Sequence, residues 1–172
     1  PTPSDCGCYM AVTLYHREDE SSISLVDGDT GEELFHHHAP DSIQIVETVW
    51  TKGNIYATGI SDNGYGIYKL GVCAEKGITS DWENILAPQP VMVKNFGANE
   101  DYLMFTCDRT GVNELYHFYP SDGRLVQKTS TRYGASEFSY SEDGKYLYYT
   151  SQTLKGMKIF RTPVDSLISR PA

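Results

Sequence analysis

The chain has 172 residues, of which 40% are hydrophobic and 12% aromatic, a composition typical of folded globular proteins and not of disordered ones. With 14 Lys and Arg against 23 Asp and Glu, the net charge is −9, and no basic cluster with interleaved aromatic residues interrupts this excess. A chain of this charge repels phosphate groups, which excludes nucleic acid and anionic membranes as expected partners. No apolar stretch reaches the ~18 to 20 residues that a membrane-spanning helix needs.

An apolar run that begins with Tyr or Ile recurs four times, at residues 9–14, 55–60, 102–107 and 146–151. The starts are 46, 47 and 44 residues apart. A period in this range indicates a repeated unit that buries its apolar surface by stacking against copies of itself. Each run predicts the second strand, B, of a unit with four antiparallel strands, A to D.

The first unit, about residues 6–36, predicts strand B at 9–15, strand C at 22–26 and strand D at 32–35. Only eight residues precede Tyr9, and two of them are prolines that cannot donate to a ladder, so no strand A is expected. The second unit, about 43–87, predicts strands at 45–50, 55–60 and 66–72. Its strand D is expected around 82–86, since Pro88 and Pro90 leave too little room for a helix.

The third unit, about residues 91–130, predicts strands that begin near Val93 and cover 102–107, 113–119 and 124–129. The fourth, about 135–170, predicts strand A from Ser136, B at 145–151 and C at 157–164. Asp143-Gly144 supplies the tight turn between its first two strands. Residues 165–170 form a weak strand D at best.

Every strand B is apolar on both faces, which suits a strand covered by sheets on both sides. We therefore predict an all-β protein, a β-propeller of about four four-stranded antiparallel blades in a single domain over residues 1–172. The alternative is a two-sheet sandwich, which offers no reason for a constant period.

The segment Phe138-Ser-Tyr-Ser-Glu-Asp-Gly-Lys-Tyr-Leu-Tyr-Tyr-Thr-Ser151, followed by Ile159-Phe-Arg161, resembles the WD-like Ser-Pro-Asp-Gly-Lys repeat of TolB-like β-propellers. Glu142 stands where that family usually has Pro. The resemblance is recognisable over 93–123 and faint in the two earlier units. TolB-like propellers commonly have six or more blades, so two interpretations stay open: a segment of a larger propeller, or a compact four-bladed ring.

The resemblance implies a non-catalytic protein-interaction scaffold of a bacterial cell envelope, periplasmic, secreted or on the cell surface, without a cofactor. The expected partner is an envelope protein or the rest of a parent chain, and open blade edges would permit a homodimer. Two alternatives remain: the non-catalytic propeller segment of a larger envelope hydrolase or peptidase, and a carbohydrate-binding propeller that uses exposed tyrosines.

Propellers usually bind through the face that gathers the B-to-C and D-to-A loops. Arg and Tyr are frequent interface anchors, so Arg109, Arg132 and Tyr133 are the preferred contacts. The full predicted set on this face is Asp62, Asn63, Asp108, Arg109, His36, His38, Arg132 and Tyr133.

The run His36-His37-His38 is the most conspicuous candidate for a metal site. Neighbouring side chains of an extended segment point to opposite faces, so at most His36 and His38 converge, and no nearby Cys supplies a third ligand. We predict a solvated D-to-A loop and no metal site. The acidic stretch from Asp27 to Glu33 has Gly31 where a calcium loop needs an oxygen ligand, and predicts a turn.

No catalytic motif stands out. Gly134-Ala-Ser136-Glu-Phe138 lacks the second glycine of a nucleophile elbow, and the charge run Glu18-Asp-Glu20 predicts a solvated loop tip. We therefore expect a chain that is not an enzyme.

The four cysteines are Cys6, Cys8, Cys73 and Cys107, and they lack the paired spacing of a structural zinc site. Cys107 is expected to be a small buried side chain in a strand. A staple from Cys6 or Cys8 to one of the other two would form only in an oxidising compartment.

Overall fold

A computed structural model describes residues 1–16, 20–73 and 76–172. In these residues the regular structure consists of 17 β-strands and one 3₁₀ turn. The chain divides into two compact units, which we call the N-terminal unit (residues 1–90 and 98–100) and the C-terminal unit (residues 91–97 and 101–172). The single domain over residues 1–172 and its blade limits stay a prediction.

The first sheet of the N-terminal unit is a meander of four antiparallel strands, β1 Thr2–Pro3, β2 Tyr9–Tyr15, β3 Ser21–Asp27 and β4 Glu33–His38. The expectation that the first unit lacks a strand A is wrong, because β1 pairs with β2, with Thr2 opposite Ala11. A short edge strand tolerates Pro3, which has no N–H to leave unpaired. Thr2 Oγ1 also donates to the carbonyl of Thr48, 2.9 Å away.

Strand β4 continues three residues beyond its predicted end. His36, His37 and His38 lie opposite Ser24, Ile23 and Ser22 of β3, so all three are strand residues and the predicted D-to-A loop at this position is wrong. A run of histidines carries no turn residue, and the ladder therefore continues until Pro40 prevents further donation.

The second sheet is built on β5 Gln44–Thr51, β6 Asn54–Ser61, β7 Gly64–Cys73, β8 Gly77–Ile78 and β9 Glu83–Gln89. Both β8 and β9 pair with the long strand β7. Strand β9 confirms that the residues after Trp82 form a strand and not a helix. Gly64 is required at the turn into β7, because its φ is +102° and a Cβ there would lie 1.9 Å from the carbonyl oxygen of Gln89.

One apolar cluster joins these two sheets. It is formed by buried residues from β2, β3, β5, β6 and β7: Ala11, Ile23, Leu25, Ile45, Trp50, Ile55, Ala57, Leu70 and Val72. Alternate residues of β3, β6 and β7 contribute, as the pleat requires. In β5 the bulge between Ile45 and Glu47 brings Ile45 and Trp50 to the same face. The strands that the period identifies as B, β2 and β6, lie inside their sheets.

The third sheet, in the C-terminal unit, has the order β10 Val93–Ala98, β11 Leu103–Cys107, β12 Glu114–Tyr119, β13 Arg124–Gln127 and then β17 Arg170–Pro171. Phe105 of β11 lies opposite Tyr116 of β12, and both rings are buried. Such cross-strand aromatic pairs stabilise an antiparallel sheet.

The fourth sheet has three strands, β14 Ser136–Tyr140, β15 Tyr146–Thr153 and β16 Gly156–Pro163. Residues 165–170 do not become its strand D. A 3₁₀ turn at Val164–Ser166 redirects the chain, and β17 adds to the outer edge of β13, with Arg170 opposite Gln127. Among the described residues, no strand pairs with the outer edge of β16.

Candidate functional site

The structure distributes the predicted binding residues over both units. Asp62 and Asn63 form the turn between β6 and β7, and His36 and His38 project from β4. In the C-terminal unit, the other four lie in two connections: Asp108 and Arg109 after β11, and Arg132 and Tyr133 between β13 and β14.

The C-terminal unit contains an apolar groove, which we call the Tyr133 groove, with a volume of about 550 Å³. Its walls come from the connection before β14 and from the β15–β16 hairpin. The lining residues are Thr131, Arg132, Tyr133, Tyr149, Ser151, Gln152, Thr153, Leu154, Lys155 and Phe160. Two of the three preferred contacts, Arg132 and Tyr133, therefore meet in one groove, whereas Arg109 is not among its lining residues.

Aromatic stacking shapes this groove. The Arg132 guanidinium carbon lies 5.2 Å from the Tyr133 ring centroid, a cation–π arrangement. On the opposite wall, Tyr149 and Phe160 stack with centroids 5.5 Å apart, as directly opposed residues of β15 and β16. Leu154, at the tip of the hairpin between them, is 97% exposed.

The backbone that carries Arg132 and Tyr133 is held by a buried carboxylate. Glu114, at the start of β12, is 1% exposed, and its two oxygens accept hydrogen bonds from the hydroxyl groups of Thr129 and Thr131 and from the Thr131 N–H. Three donors compensate for the burial of this polar group. Sequence analysis missed Glu114, since nothing local distinguishes it from a surface glutamate.

The other end of the same connection is also anchored. Ala135 N–H donates to the carbonyl of Asn113 at 2.7 Å, and Ser151 Oγ donates to the carbonyl of Gly134 at 2.6 Å. The Tyr133 groove thus lies on a connection that is fixed before any ligand arrives, which lowers the ordering cost of binding.

Asp108 has a structural contact. Its carboxylate accepts a hydrogen bond from the Met92 N–H at 2.8 Å, and it lines a smaller pocket of about 340 Å³ that also includes Tyr133. In the N-terminal unit, Asp62 and His38 both line a depression of about 890 Å³. The predicted residues therefore form separate groups and not one site.

Exposed apolar side chains are concentrated around the fourth sheet. Among the described residues, ten large hydrophobic side chains are exposed, and six of these lie between residues 133 and 160: Tyr133, Tyr148, Leu154, Met157, Ile159 and Phe160. Clustered exposure of this kind marks interaction surfaces, in contrast to single scattered apolar residues.

An aromatic cluster joins β12 of the third sheet to β14 of the fourth. His117 of β12 is 3% exposed, stacks on Tyr102 with centroids 3.8 Å apart, and shares a hydrogen bond of 2.9 Å with the Tyr140 hydroxyl. Burial lowers the pKa of His117 to about 3, with a smaller effect of the Lys128 charge. Burial also raises the pKa of Tyr140. Both groups therefore stay neutral at physiological pH, which favours a structural role.

One face of the first sheet gathers histidines. His36 and His38 have ring centroids 5.1 Å apart, and His16, just after β2, lies 6.2 Å and 6.1 Å from them. The convergence of His36 and His38 was expected, but His16 was not, because it is 20 residues earlier in the chain. His37 points to the opposite face and bonds Asp81 at 3.1 Å.

The remaining candidates for chemistry are structural where they are described. Asp27 Oδ1 accepts bonds from the Asp29 and Thr30 N–H groups and from the Thr30 hydroxyl, which confirms a turn and lowers the pKa of Asp27. Ser136 begins β14, as expected. Glu18 and Asp19 of the charge run lie outside the described residues, and Glu20 is exposed.

The cysteines are all free thiols in this structure. Cys107 is buried, as predicted, and burial raises its pKa. Cys6 and Cys8 are exposed and two residues apart in the chain. A hydrogen bond with Ser4 lowers the pKa of Cys6. Within residues 1–16, 20–73 and 76–172, no group of three or more His, Cys, Asp or Glu side chains is placed so that it could hold a metal ion as the side chains stand.

No protein-family model matches the chain, and no curated protein matches it. Several solved structures are similar to it. TolB from Acinetobacter baumannii superposes with a TM-score of 0.72 at 13% identity, over 99% of this chain and 42% of that one. A putative TolB from Agrobacterium tumefaciens gives 0.69 at 15% identity, over 99% and 60%.

A puromycin-hydrolyzing peptidase from Mycobacterium tuberculosis is also similar, with a TM-score of 0.68 at 14% identity, over 98% of this chain and 28% of that one. The fold is therefore a TolB-like β-propeller fold, and the chain spans less than two thirds of these proteins. No helix in the described part of the chain has the length and apolar character needed to cross a membrane.

Proposed function

We propose that this chain is a non-catalytic, protein-binding β-propeller module that acts in a bacterial cell envelope, in the periplasm or at the cell surface. The observation that carries the proposal is the concentration of exposed apolar side chains on and around the β15–β16 hairpin, which forms one wall of the Tyr133 groove. Among the described residues, no strand pairs with the outer edge of β16. Aromatic and Arg side chains in a preformed groove are the usual anchors of protein partners.

The extent of the exposed apolar surface supports a protein and not a small molecule as the partner. The groove opens along the β15–β16 hairpin, and the exposed side chains of Met157 and Ile159 lie on the opposite face of the same hairpin. An extended chain or a loop of a partner covers such a surface, whereas a small ligand is normally enclosed. The TolB-like fold is compatible with this role, and the envelope location rests on the resemblance alone.

A photo-crosslinking amino acid at Thr153, which lines the groove, tests the proposal in envelope extracts. The matched control carries the same amino acid at Asp122, in the exposed turn between β12 and β13. We expect discrete cross-linked proteins at residue 153 and none of them at residue 122. Identical patterns at the two positions would contradict the proposal.

The partner identified in this way is then titrated with purified variants. Arg132→Ala with Tyr133→Ala should weaken binding at least about tenfold, as the loss of interface anchors does. The control is Arg124→Ala, because Arg124 makes an equivalent exposed contact over Tyr119, at 4.5 Å, outside the groove. Equal effects of the two changes would remove the Tyr133 groove from the interface.

A second function is favoured by the likeness to the peptidase, of which this chain matches 28%. In that case the propeller is a non-catalytic segment of a larger hydrolase, and the Tyr133 groove contacts another domain of the same protein. Sequencing the parent reading frame distinguishes the two: an α/β domain with a Ser-His-Asp set supports the hydrolase, and its absence supports the scaffold.

A further inference from the structure

The face of the first sheet that bears His16, His36 and His38 has a chemistry that the proposed function does not use. His36 and His38 are two residues apart on β4 and project from the same face. Strand β3 lies between β4 and β2, and it presents small serines there: Ser22 opposite His38, and Ser24 opposite His36. The imidazoles of His36 and His38 on β4, and of His16 just after β2, can therefore extend over these small serines and approach one another.

The ring separations fit one shared ion. With metal–nitrogen bonds of about 2.0–2.1 Å, three imidazoles on a tetrahedral ion have ring centroids about 5 Å apart. His36 and His38 have this separation already, at 5.1 Å. The His16 ring lies about 1 Å too far, at 6.1 and 6.2 Å, and His16 and His36 are exposed enough to rotate.

Two neighbouring polar groups lie where the outer shell of a metal site would be: one hydrogen-bonds the His16 ring, and the other lies close to the His36 ring. The His16 Nε2 shares a hydrogen bond of 2.8 Å with Ser22 Oγ, which leaves its Nδ1 for a metal. The Glu33 carboxylate lies 3.8 Å from His36 Nδ1 and also accepts a bond from Ser24, which leaves Nε2 of His36. At 3.8 Å the Glu33 carboxylate is an ion-pair neighbour of the His36 ring and not a hydrogen-bond partner; in metal sites a carboxylate at this position orients the histidine ligand.

The position of Glu33 depends on a β-bulge. The register shifts between Leu25 and Val26, and this shift brings Glu33 and His36, three residues apart, to the same face. The charge of the N-terminal unit adds attraction for a cation, because its sequence holds 15 Asp and Glu residues against 4 Lys and Arg residues.

We propose that His16, His36 and His38 form a binding site for one divalent transition-metal ion, with Glu33 as a positioning residue. Imidazole nitrogens suit Zn²⁺, Cu²⁺ and Ni²⁺, and zinc is the probe used below. The fourth coordination position is left to water or to a partner side chain. The rings do not surround a point in this structure, and the ion closes the cluster by rotating them.

Isothermal titration with ZnCl₂ tests the site on the full chain, after chelator treatment and removal of any affinity tag. Cys6 and Cys8 are replaced by Ser in every sample, because two exposed thiols would bind zinc themselves. We expect one Zn²⁺ per chain. His16→Ala, His36→Ala and His38→Ala should each weaken binding at least tenfold, whereas His37→Ala, on the opposite face of the same strand, should change it less than twofold.

Glu33→Gln should weaken zinc binding about tenfold, as changes of outer-shell groups typically do. Circular dichroism checks that each variant is folded, and His→Gln replaces any His→Ala variant that is not. Visible absorption of bound Co²⁺ gives a second measurement, since its intensity reports tetrahedral coordination. The proposal is overturned if the chain binds no zinc, or if His37→Ala weakens zinc binding as much as the other three histidine variants do. If His16→Ala binds zinc as tightly as the parent chain while His36→Ala and His38→Ala do not, the three-histidine site is wrong.

Discussion

The two units are both built from antiparallel strands but differ in whether they bury Glu and His side chains. Among the described residues of the N-terminal unit, the buried polar ones are Ser4, Ser21, Ser22, Ser24 and Thr58, which all bear hydroxyl groups. The C-terminal unit buries Thr106, Thr129 and Ser151 as well, but it also buries Glu114 and His117. Hydroxyl groups do not titrate at ordinary pH, whereas burial lowers the pKa of His117 to about 3, so acid lowers the stability of the C-terminal unit once the pH falls below about 6.5.

The units also differ in charge. The N-terminal unit carries 15 acidic and 4 basic residues, and the C-terminal unit carries 8 acidic and 10 basic ones. The net charge of −9 therefore describes neither of them. The excess of negative charge favours cation binding on the N-terminal unit, and the C-terminal unit has no such excess.

The largest expected effect is a loss of stability in the N-terminal unit, caused by a clash with its backbone. Gly64→Ala should destabilise it by roughly 3 kcal/mol or more, because a side chain at φ +102° is strained and its Cβ would meet the Gln89 carbonyl at 1.9 Å. Gly31→Ala is the control, with a φ of +73° and nothing within 4 Å of the added Cβ, and should cost about 1 kcal/mol. Thermal unfolding measures both, and equal losses would contradict the clash.

The next effect is a loss of stability that should be confined to the C-terminal unit. Glu114→Ala should destabilise the C-terminal unit by about 3 kcal/mol, because the hydroxyl of buried Thr129 and both donors of half-buried Thr131 lose their acceptor. Hydrogen exchange should show faster opening at residues 129–133 and little change in β6. Glu142→Ala, at an exposed turn, is the control and should have almost no effect. Uniform loosening of both units would contradict this local role.

Acid should weaken the C-terminal unit before the N-terminal unit. His117 has a folded-state pKa of about 3, below its ordinary 6.5, so the unfolded chain binds more protons between these values. Stability is therefore lost as pH falls below about 6.5, by up to about 1.4 kcal/mol per pH unit.

His117→Phe keeps a ring against Tyr102 and removes the titrating group, and should flatten this part of the pH profile of unfolding. Denaturant unfolding at pH 7, 6 and 5 measures the slope. An unchanged slope in the variant would assign the acid sensitivity to other groups.

The smallest expected effect concerns the partner of His117. Tyr140→Phe should cost about 1 kcal/mol, the net value of one buried hydrogen bond. Tyr148→Phe, on the neighbouring strand and 36% exposed, should stay within about 0.5 kcal/mol of the parent. Indistinguishable midpoints for the two variants would mean that the Tyr140 hydroxyl contributes little.

Much of the fold is predictable from the sequence because its signals are local. The Asp143-Gly144 turn, the strand after Trp82 and the burial of Cys107 all depend on nearby residues, and the structure confirms them. The candidate sites are less predictable. Arg132 and Tyr133 are recognisable by residue type, but Glu114 and His16 become informative only when distant strands place them.

Hydrophobic alternation and turn residues act over a few positions, so the repeat, its period and the strands that lie inside each sheet follow from the residues in order along the chain. The completion of the sheet edges depends instead on contacts between distant segments. Strand β1 exists because β2 offers an open edge, and β17 pairs with β13 because the 3₁₀ turn after β16 redirects the chain. Edge pairing depends on which backbone groups remain unpaired nearby, and no local pattern encodes that.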